Sequence, residues 1–222
     1  MLAGRLTAVG PVRIFAAWIE PIRQEDFEMR LTALGMMAGA IVAATGTAQA
    51  HTFGVPGTGL AAGFAHPFGG LDHLLAMVAV GLWAVELGGR AVWQVPATFV
   101  AVMIAGALAG MSGVPLPSAE VGIAASLLVL GALVATAARL PAMLGTALVA
   151  VFALFHGHAH GSEMPATVSA GLYGLGFALA TAGLHGIGIG LGLWLRGTAA
   201  RWTVRVGGAG IAAAGLAMLV AV

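Results

Sequence analysis

Long apolar runs recur along the chain from residue 67 to the C-terminus, with short and more polar stretches between them. Each run is close to the 20 or so residues that a helix needs to cross a hydrocarbon core about 30 Å thick. We count six such runs after residue 51, and each predicts a transmembrane helix. Their approximate bounds are 67–87, 92–111, 119–138, 141–158, 168–195 and 203–222.

The composition agrees with this pattern. Apolar residues make up 60% of the chain, charged residues make up 8%, and the mean hydropathy is +1.01. Soluble domains carry roughly 25% charged residues, so we predict an all-α, polytopic membrane protein built as a six-helix bundle. The chain contains no Cys, Lys or Asn. The absence of cysteine excludes disulfides and thiolate metal sites. The absence of lysine excludes a Walker-type phosphate-binding lysine, and therefore ATP hydrolysis by this chain.

The first 50 residues differ from the remainder. Eight of the seventeen charged residues fall within the first thirty positions. From residue 29 a basic start, an apolar stretch over 31–44 and the small-x-small sequence Ala48-Gln49-Ala50 predict a signal peptide at 29–50. We interpret residues 1–28 as a non-native extension from an upstream start, and 51–222 as the mature domain with six transmembrane helices. The alternative is that residues 31–49 form an uncleaved anchor.

The arginines predict the orientation of the spans. The mature region has five basic residues, and all of them fall in alternate loops between the predicted spans: Arg90, Arg139, Arg196, Arg201 and Arg205. Because basic residues are retained on the cytoplasmic side, both mature termini are predicted to be periplasmic, as expected for a multi-pass protein of the inner membrane. Three spans followed by three spans of opposite orientation also suggest a 3+3 inverted repeat.

Ionisable residues are concentrated in two segments. The first span opens with HPFGGLDH from His66 to His73, and the fourth ends with FHGHAHGSE from Phe155 to Glu163. Charged groups inside a bilayer cost roughly 2.5–3.5 kcal/mol on insertion scales, so such clusters indicate function. The predicted topology brings both segments to the outer side, where they could share one site.

Helix geometry qualifies this interpretation of the two segments. On a regular helix His66 and His73 are about 10 Å apart along the axis, too far to hold one ion together. Either the helix start is irregular at Gly69 and Gly70, or the two histidines act in succession. His156 and His160 are one turn apart, Glu163 continues that face, and His158 points elsewhere unless glycines break the helix.

Two further histidines are candidates for the metal path. His185 lies near mid-depth of the fifth span, where it would extend the path inward. Its alternative role is a neutral histidine bonded to Thr181 or to a backbone carbonyl. Signal-peptide cleavage would make His51 the first residue, so that its α-amine and imidazole could chelate a metal ion outside the membrane; otherwise it only borders the cleavage site.

Imidazole and carboxylate ligands without thiolate suit divalent nickel, cobalt or zinc. They argue against copper(I), and against magnesium or calcium, which prefer oxygen ligands alone. We therefore expect the two segments to bind such a divalent ion, in a chain surrounded by membrane lipid and without a nucleic-acid partner.

The two segments resemble the HxxxxxDH and FHGxAHGxE signatures of the HupE/UreJ family of membrane permeases, and both match in full and in order. This resemblance implies a nickel permease, or in some relatives a cobalt permease, that supplies hydrogenase or urease maturation proteins. The resemblance further implies that the metal ion is the transported substrate and not a permanently bound cofactor. It also implies that the important polar residues are His66, Asp72, His73, His156, His160 and Glu163. His158 occupies a variable position of the second signature.

Two other classes of function compete with a permease. An accessory subunit could bind the metal ion without moving it. An intramembrane serine protease is a weaker alternative, because Gly110–Gly113 reads GMSG and Ser112 could be paired with His185 as its base. That four-residue pattern is common, and Ser112 is predicted to lie at the outer end of a span.

Overall fold

The computed structural model describes residues 59–164, 169–196 and 200–222, and all regular elements in these ranges are helical. Seven α-helices and one short 3-10 helix, His66–Phe68, follow one another along the chain. The α-helices are α1 (Gly59–Ala65), α2 (Leu71–Leu87), α3 (Ala91–Met111), α4 (Ala119–Thr136), α5 (Ala142–Ser162), α6 (Ala170–Trp194) and α7 (Ala200–Ala221). The extension 1–28, the signal peptide 29–50 and His51 lie outside the described residues.

Five helices, α3 to α7, are long and apolar enough to cross a membrane. The segment Gly59–Phe68 meets α2 at an angle of 80°, and the two together are apolar enough for a sixth crossing if they form one broken span rather than a re-entrant loop. Such helices suit lipid because each one satisfies its backbone hydrogen bonds internally. The predicted all-α bundle is therefore confirmed in part, while the inverted repeat stays a prediction.

The predicted bounds differ from the structure most clearly at two of the spans. The first was expected to begin at residue 67, but helical structure begins at Gly59 and breaks around Gly70, whose backbone is extended. The short, small-residue sequence of α1 does not meet the length criterion for a span, which explains why it was missed. The fourth span was expected to end at residue 158, but α5 continues to Ser162.

The main helix contacts join α3 with α5, α4 with α7, and α6 with both α2 and α1. Glycines bring the backbones of α3 and α5 together. A Cβ atom at Gly157 would overlap the Met103 carbonyl, and one at Gly161 would overlap the Ala107 carbonyl. In lipid, van der Waals packing of this kind replaces the hydrophobic effect as the main attraction between helices. The glycines of the second histidine segment therefore join α5 to α3 rather than break α5.

The bundle has two chemically different ends. The end at which α2 begins and α5 finishes, here called the histidine end, carries both motif segments. The opposite end, here called the arginine end, includes Arg90 after α2 and Arg205, which donates to the Ala135 carbonyl. Trp83 is fully buried near the arginine end, where its indole N–H donates to the Ala138 carbonyl at 2.9 Å.

Candidate metal centre

The bend before α2 brings the two histidines of the first motif to one site. Pro67 occupies the start of the 3-10 helix, and Gly70 adopts an extended backbone just before Leu71. As a result, the His66 ring centroid lies 4.4 Å from that of His160, and the His73 centroid lies 3.9 Å from the same ring. The irregular helix start considered from the sequence is therefore what the structure contains, and it removes the separation that a regular helix would impose.

The second motif lies on one continuous helix, α5. His156 and His160 are one turn apart, and Glu163 is the residue that caps the helix. The His156 ring centroid lies 4.6 Å from that of His73. Four imidazole rings thus form a row in the order His66, His160, His73, His156. The two motifs, more than eighty residues apart in sequence, form one cluster.

Three of these side chains meet the geometric requirement for holding a metal ion. One ligand atom from each of His66, His160 and Glu163 lies within 4.8 Å of the other two. Within the described ranges, no other group of three or more His, Asp or Glu side chains meets this distance criterion. Nitrogen and oxygen donors bind Zn²⁺ at about 2.0–2.2 Å, so small side-chain movements would complete the contact. We call these three residues the outer triad.

Many ring nitrogens of the cluster are buried without a hydrogen-bond partner in the described part of the chain. They are Nε2 of His73, Nδ1 of His156 and both ring nitrogens of His160. A buried polar atom left unpaired costs about 1–3 kcal/mol. Neutral imidazole with a free lone pair is also the form that binds divalent transition metals. The cluster therefore fits a metal ion better than it fits a role in packing.

Asp72 contacts His73 and is absent from the outer triad. Its Oδ1 accepts a hydrogen bond from the His73 backbone N–H at 2.8 Å and lies 3.3 Å from His73 Nδ1. A proton on Nδ1 would bridge that gap and leave Nε2 free as the ligand atom. Carboxylates orient metal-binding histidines in this way in many proteins. Asp72 also lies in the first turn of α2, where the helix dipole favours a negative charge.

The Glu163 carboxyl lies just beyond the end of α5, at the outer side of the cluster. Partial desolvation by the surrounding protein is the largest influence on this group, and it raises the pKa of Glu163 above its usual value. The neighbouring carboxylates of Asp72 and Glu120 act in the same direction, whereas His73 opposes it. A dication bound here would reverse this balance, because it stabilises the ionised carboxylate.

His185 lies deeper in the bundle and, like His156, packs against the ring of Phe99. Its side chain is buried, and both ring nitrogens lack a partner among the described residues. The Phe99 ring centroid lies 5.1 Å from His185 and 5.7 Å from His156. Thr181, the alternative partner considered from the sequence, instead directs its hydroxyl at the Met103 sulfur, 3.7 Å away.

His158 does not join the cluster. Its Nε2 lies 2.6 Å from the Val114 carbonyl oxygen, which can only accept, so Nε2 must donate. This bond ties α5 to the loop between α3 and α4. The sequence had already suggested that His158 points away from the other two histidines of its motif.

Several residues of the site were missed at the sequence level. Ser126 Oγ lies 2.8 Å from His156 Nε2, and the rings of Tyr173 and Phe177 lie 5.8 and 5.9 Å from that of His66. Ser126 did leave a signal in the sequence, since it is the one polar residue between Glu120 and Thr136 in an apolar span. Tyr173 and Phe177 left none, because aromatic residues are ordinary in transmembrane helices.

The structure separates the two residues of the protease alternative. Ser112 is exposed at the end of α3, where its hydroxyl donates to the Leu108 carbonyl at 2.7 Å. His185 is buried and packs against Phe99. A nucleophile and its base need to lie within hydrogen-bond reach of each other. The contacts of these two residues give no support to such a pair.

The chain is similar in sequence to known membrane proteins. A family profile described as "HupE / UreJ protein" matches residues 31–218. The chain is 47% identical over 181 residues to Protein HupE from Rhizobium leguminosarum bv. viciae, an alignment that covers 82% of this chain and 94% of that relative. No solved structure matches the chain. The resemblance indicated by the two motifs is confirmed, and with it a membrane accessory or transport role rather than an enzymatic one.

Proposed function

The chain belongs to the HupE/UreJ family, and on that premise we propose that it is a secondary permease for a divalent transition metal ion, with nickel as its substrate. The ion would enter at the histidine end and leave at the arginine end. In the cell this corresponds to passage across the inner membrane from the periplasm to the cytoplasm, for the maturation of a metalloenzyme such as hydrogenase or urease.

The observation that carries this proposal is the row of imidazole rings leading inward from an exposed carboxylate. Glu163 is solvent-exposed, His66 is half-buried, and His160 and His156 are buried. An ion first held by the outer triad would therefore meet further ligands, His73 and then His156, as it loses water. Each step along this row replaces one ligand by another, so the ion keeps protein ligands as far as His156.

The donor set favours nickel, cobalt or zinc over harder or softer ions, as nitrogen ligands are combined with few oxygens and no sulfur. Nickel is our choice because nickel supply is what the family resemblance implies, and cobalt is the first alternative. The competing function is a non-transporting accessory protein that binds the ion. A protein that only binds the ion would account for the packing at the arginine end, where the Trp83 side chain is fully buried. For a permease, this packing has to open before an ion can leave.

The membrane potential is sufficient to drive entry in the proposed direction. A single charge that crosses 100 mV changes its free energy by about 2.3 kcal/mol, so a dication gains about 4.6 kcal/mol when the inside is negative. The absence of lysine excludes a Walker-type ATPase site in this chain. We therefore propose movement along the electrochemical gradient.

The test is uptake of radioactive nickel into proteoliposomes that contain only this protein, with an imposed inside-negative potential. Cobalt and zinc are added as competitors in parallel. We expect potential-dependent uptake that Asp72→Asn and His156→Ala abolish. Ser112→Ala serves as a control for both, because its hydroxyl bonds only within α3, and uptake should be unchanged.

The outcomes of this assay distinguish the candidate functions. Saturable nickel binding without uptake would favour the accessory protein. Loss of uptake in Ser112→Ala would show that the losses in the other two variants are not specific to the histidine cluster. If less cobalt than unlabelled nickel is needed to compete with radioactive nickel, cobalt is the preferred substrate.

A further inference from the structure

We propose that Ser126 of α4 is a positioning residue that holds His156 in a single tautomer, with the proton on Nε2 and the metal-binding lone pair on Nδ1. This inference rests on the proposed function, because it names how one ligand of that site is prepared. Ser126 belongs to neither histidine motif, and it reaches His156 from a different helix.

The Ser126 hydroxyl has a single hydrogen to donate. Ser126 Oγ donates to the Ile123 carbonyl oxygen at 2.6 Å, one turn earlier in α4. The same Oγ lies 2.8 Å from His156 Nε2. A carbonyl oxygen can only accept a hydrogen bond, so the one hydroxyl hydrogen is used there. Toward His156 the hydroxyl oxygen must therefore act as an acceptor, and Nε2 must carry the proton.

The consequence for His156 follows from the chemistry of neutral imidazole. One ring nitrogen carries the proton and the other carries the lone pair that binds a metal ion. With Nε2 protonated, the ligand atom is Nδ1, which is buried and has no hydrogen-bond partner in the described residues. The opposite tautomer would leave a buried N–H on Nδ1 unpaired and would force Ser126 to give up its bond to Ile123.

Burial makes this arrangement more than a surface contact. Ser126 and His156 are both completely buried. Water is therefore not at hand to replace the hydroxyl, and an unpaired buried N–H costs about 1–3 kcal/mol. A tautomer preference of that size corresponds to a ratio of roughly five to more than a hundred at room temperature.

His73 provides a comparison within the same row of rings. Its Nδ1 lies 3.3 Å from Asp72, so its free nitrogen is Nε2. Neighbouring rings, with centroids 4.6 Å apart, are thus oriented by different partners and offer different nitrogens. Partners of this kind outside the ligand shell typically account for a 10–100-fold difference in metal affinity.

A direct test needs neither a variant of Ser126 nor a metal ion. The full-length protein is labelled with isotopic nitrogen in histidine and reconstituted in lipid nanodiscs without metal. The ring-nitrogen chemical shifts then report which nitrogen carries the proton, and His156→Gln identifies the signals of His156. We expect a single Nε2–H tautomer. A His156 ring protonated on Nδ1, or an even mixture of tautomers, would overturn the proposal.

Variants of Ser126 extend the test to metal binding. Ser126→Ala should produce a mixture of His156 tautomers and weaken nickel binding, measured by titration calorimetry, by about 10–100-fold. Ser126→Thr keeps the hydroxyl and should restore the Nε2–H tautomer. Ser112→Ala removes a hydroxyl that also bonds back to its own helix, and it should alter neither property.

Two results separate this inference from the proposed function. Unchanged nickel affinity and unchanged tautomer in Ser126→Ala would refute the role of Ser126 while leaving the permease intact. Conversely, a wild-type protein that binds no nickel would refute the proposed function, and the chemical shifts of the metal-free protein would still decide the tautomer. If Ser126→Ala does not fold, the wild-type chemical shifts remain decisive.

Discussion

The close approach of α3 and α5 gives the sharpest test of how the packing positions the histidines. Gly157 lies between His156 and His158, and a Cβ atom placed there would overlap the backbone carbonyl of Met103. The matched control is Gly183 of α6, where a Cβ atom would meet nothing within 4 Å. The same change, glycine to alanine, should therefore have opposite effects at the two positions.

The space around each glycine determines how alanine should change the free energy of unfolding. Alanine is favoured over glycine in a helix by about 0.8–1 kcal/mol, and Gly183→Ala should gain up to that amount. Gly157→Ala must restore a C···O separation of about 3.3 Å, which requires the helices to move apart by roughly 1 Å. Overpacking of this kind costs about 1–3 kcal/mol, and a backbone carbonyl yields less than a flexible side chain. We expect a net loss of stability.

The same displacement should weaken nickel binding, because His156 and His160 move with α5. Metal sites tolerate displacements of only about 0.5 Å in their ligands. The assays are thermal unfolding in detergent, followed by circular dichroism, and titration calorimetry with nickel. If Gly157→Ala matches Gly183→Ala both in unfolding midpoint and in nickel affinity, the close approach of α3 and α5 does not position the site.

Three further predictions address the ligands, the path and the arginine end. Lowering the pH from about 7.5 to about 5 should weaken nickel binding in calorimetry, because burial raises the pKa of Glu163, so that this ligand takes up a proton at a higher pH than a free glutamate, and a protonated carboxyl binds the ion poorly; equal affinity at both pH values would contradict this. His185→Gln should lower nickel uptake while equilibrium affinity at the outer triad stays unchanged, and loss of both would show that His185 belongs to the entry site. Arg205→Gln removes hydrogen bonds of 2.9 and 3.3 Å to the Ala135 and Thr136 carbonyls; it should cost about 1–2 kcal/mol in thermal unfolding and leave nickel affinity as it is.

Gly157 and Gly161 have a role in the structure that the sequence around them did not predict. At the sequence level, Gly157 and Gly161 raised the prospect of a broken helix at the second motif. In the structure α5 is continuous through both, since each glycine faces a backbone carbonyl of α3. Whether a glycine breaks its helix or allows close packing depends on the neighbouring helix. The sequence around the glycine does not show which helix that is.

The bend before α2 is a second such case. Gly69 and Gly70 indicated that the helix start could be irregular, but not in which direction the chain would turn. The 80° angle places His66 beside His160, where it joins the outer triad. Asp72, counted from its motif as a ligand, contacts His73 and is not part of the outer triad. A motif identifies which residues are polar and close in sequence, and the turn of the backbone decides which atoms face each other.

The sequence by itself determined that the chain is a helical membrane protein and which two segments carry its chemistry. It could do so because crossing a bilayer is a local requirement: each span must be apolar over about 20 residues and satisfy its own backbone. Only the tertiary structure decided how the ligands are grouped, that Phe99 packs against both His156 and His185, and that Ser126 reaches His156. These contacts join separate helices, and their distances depend on how closely and at what rotation those helices pack.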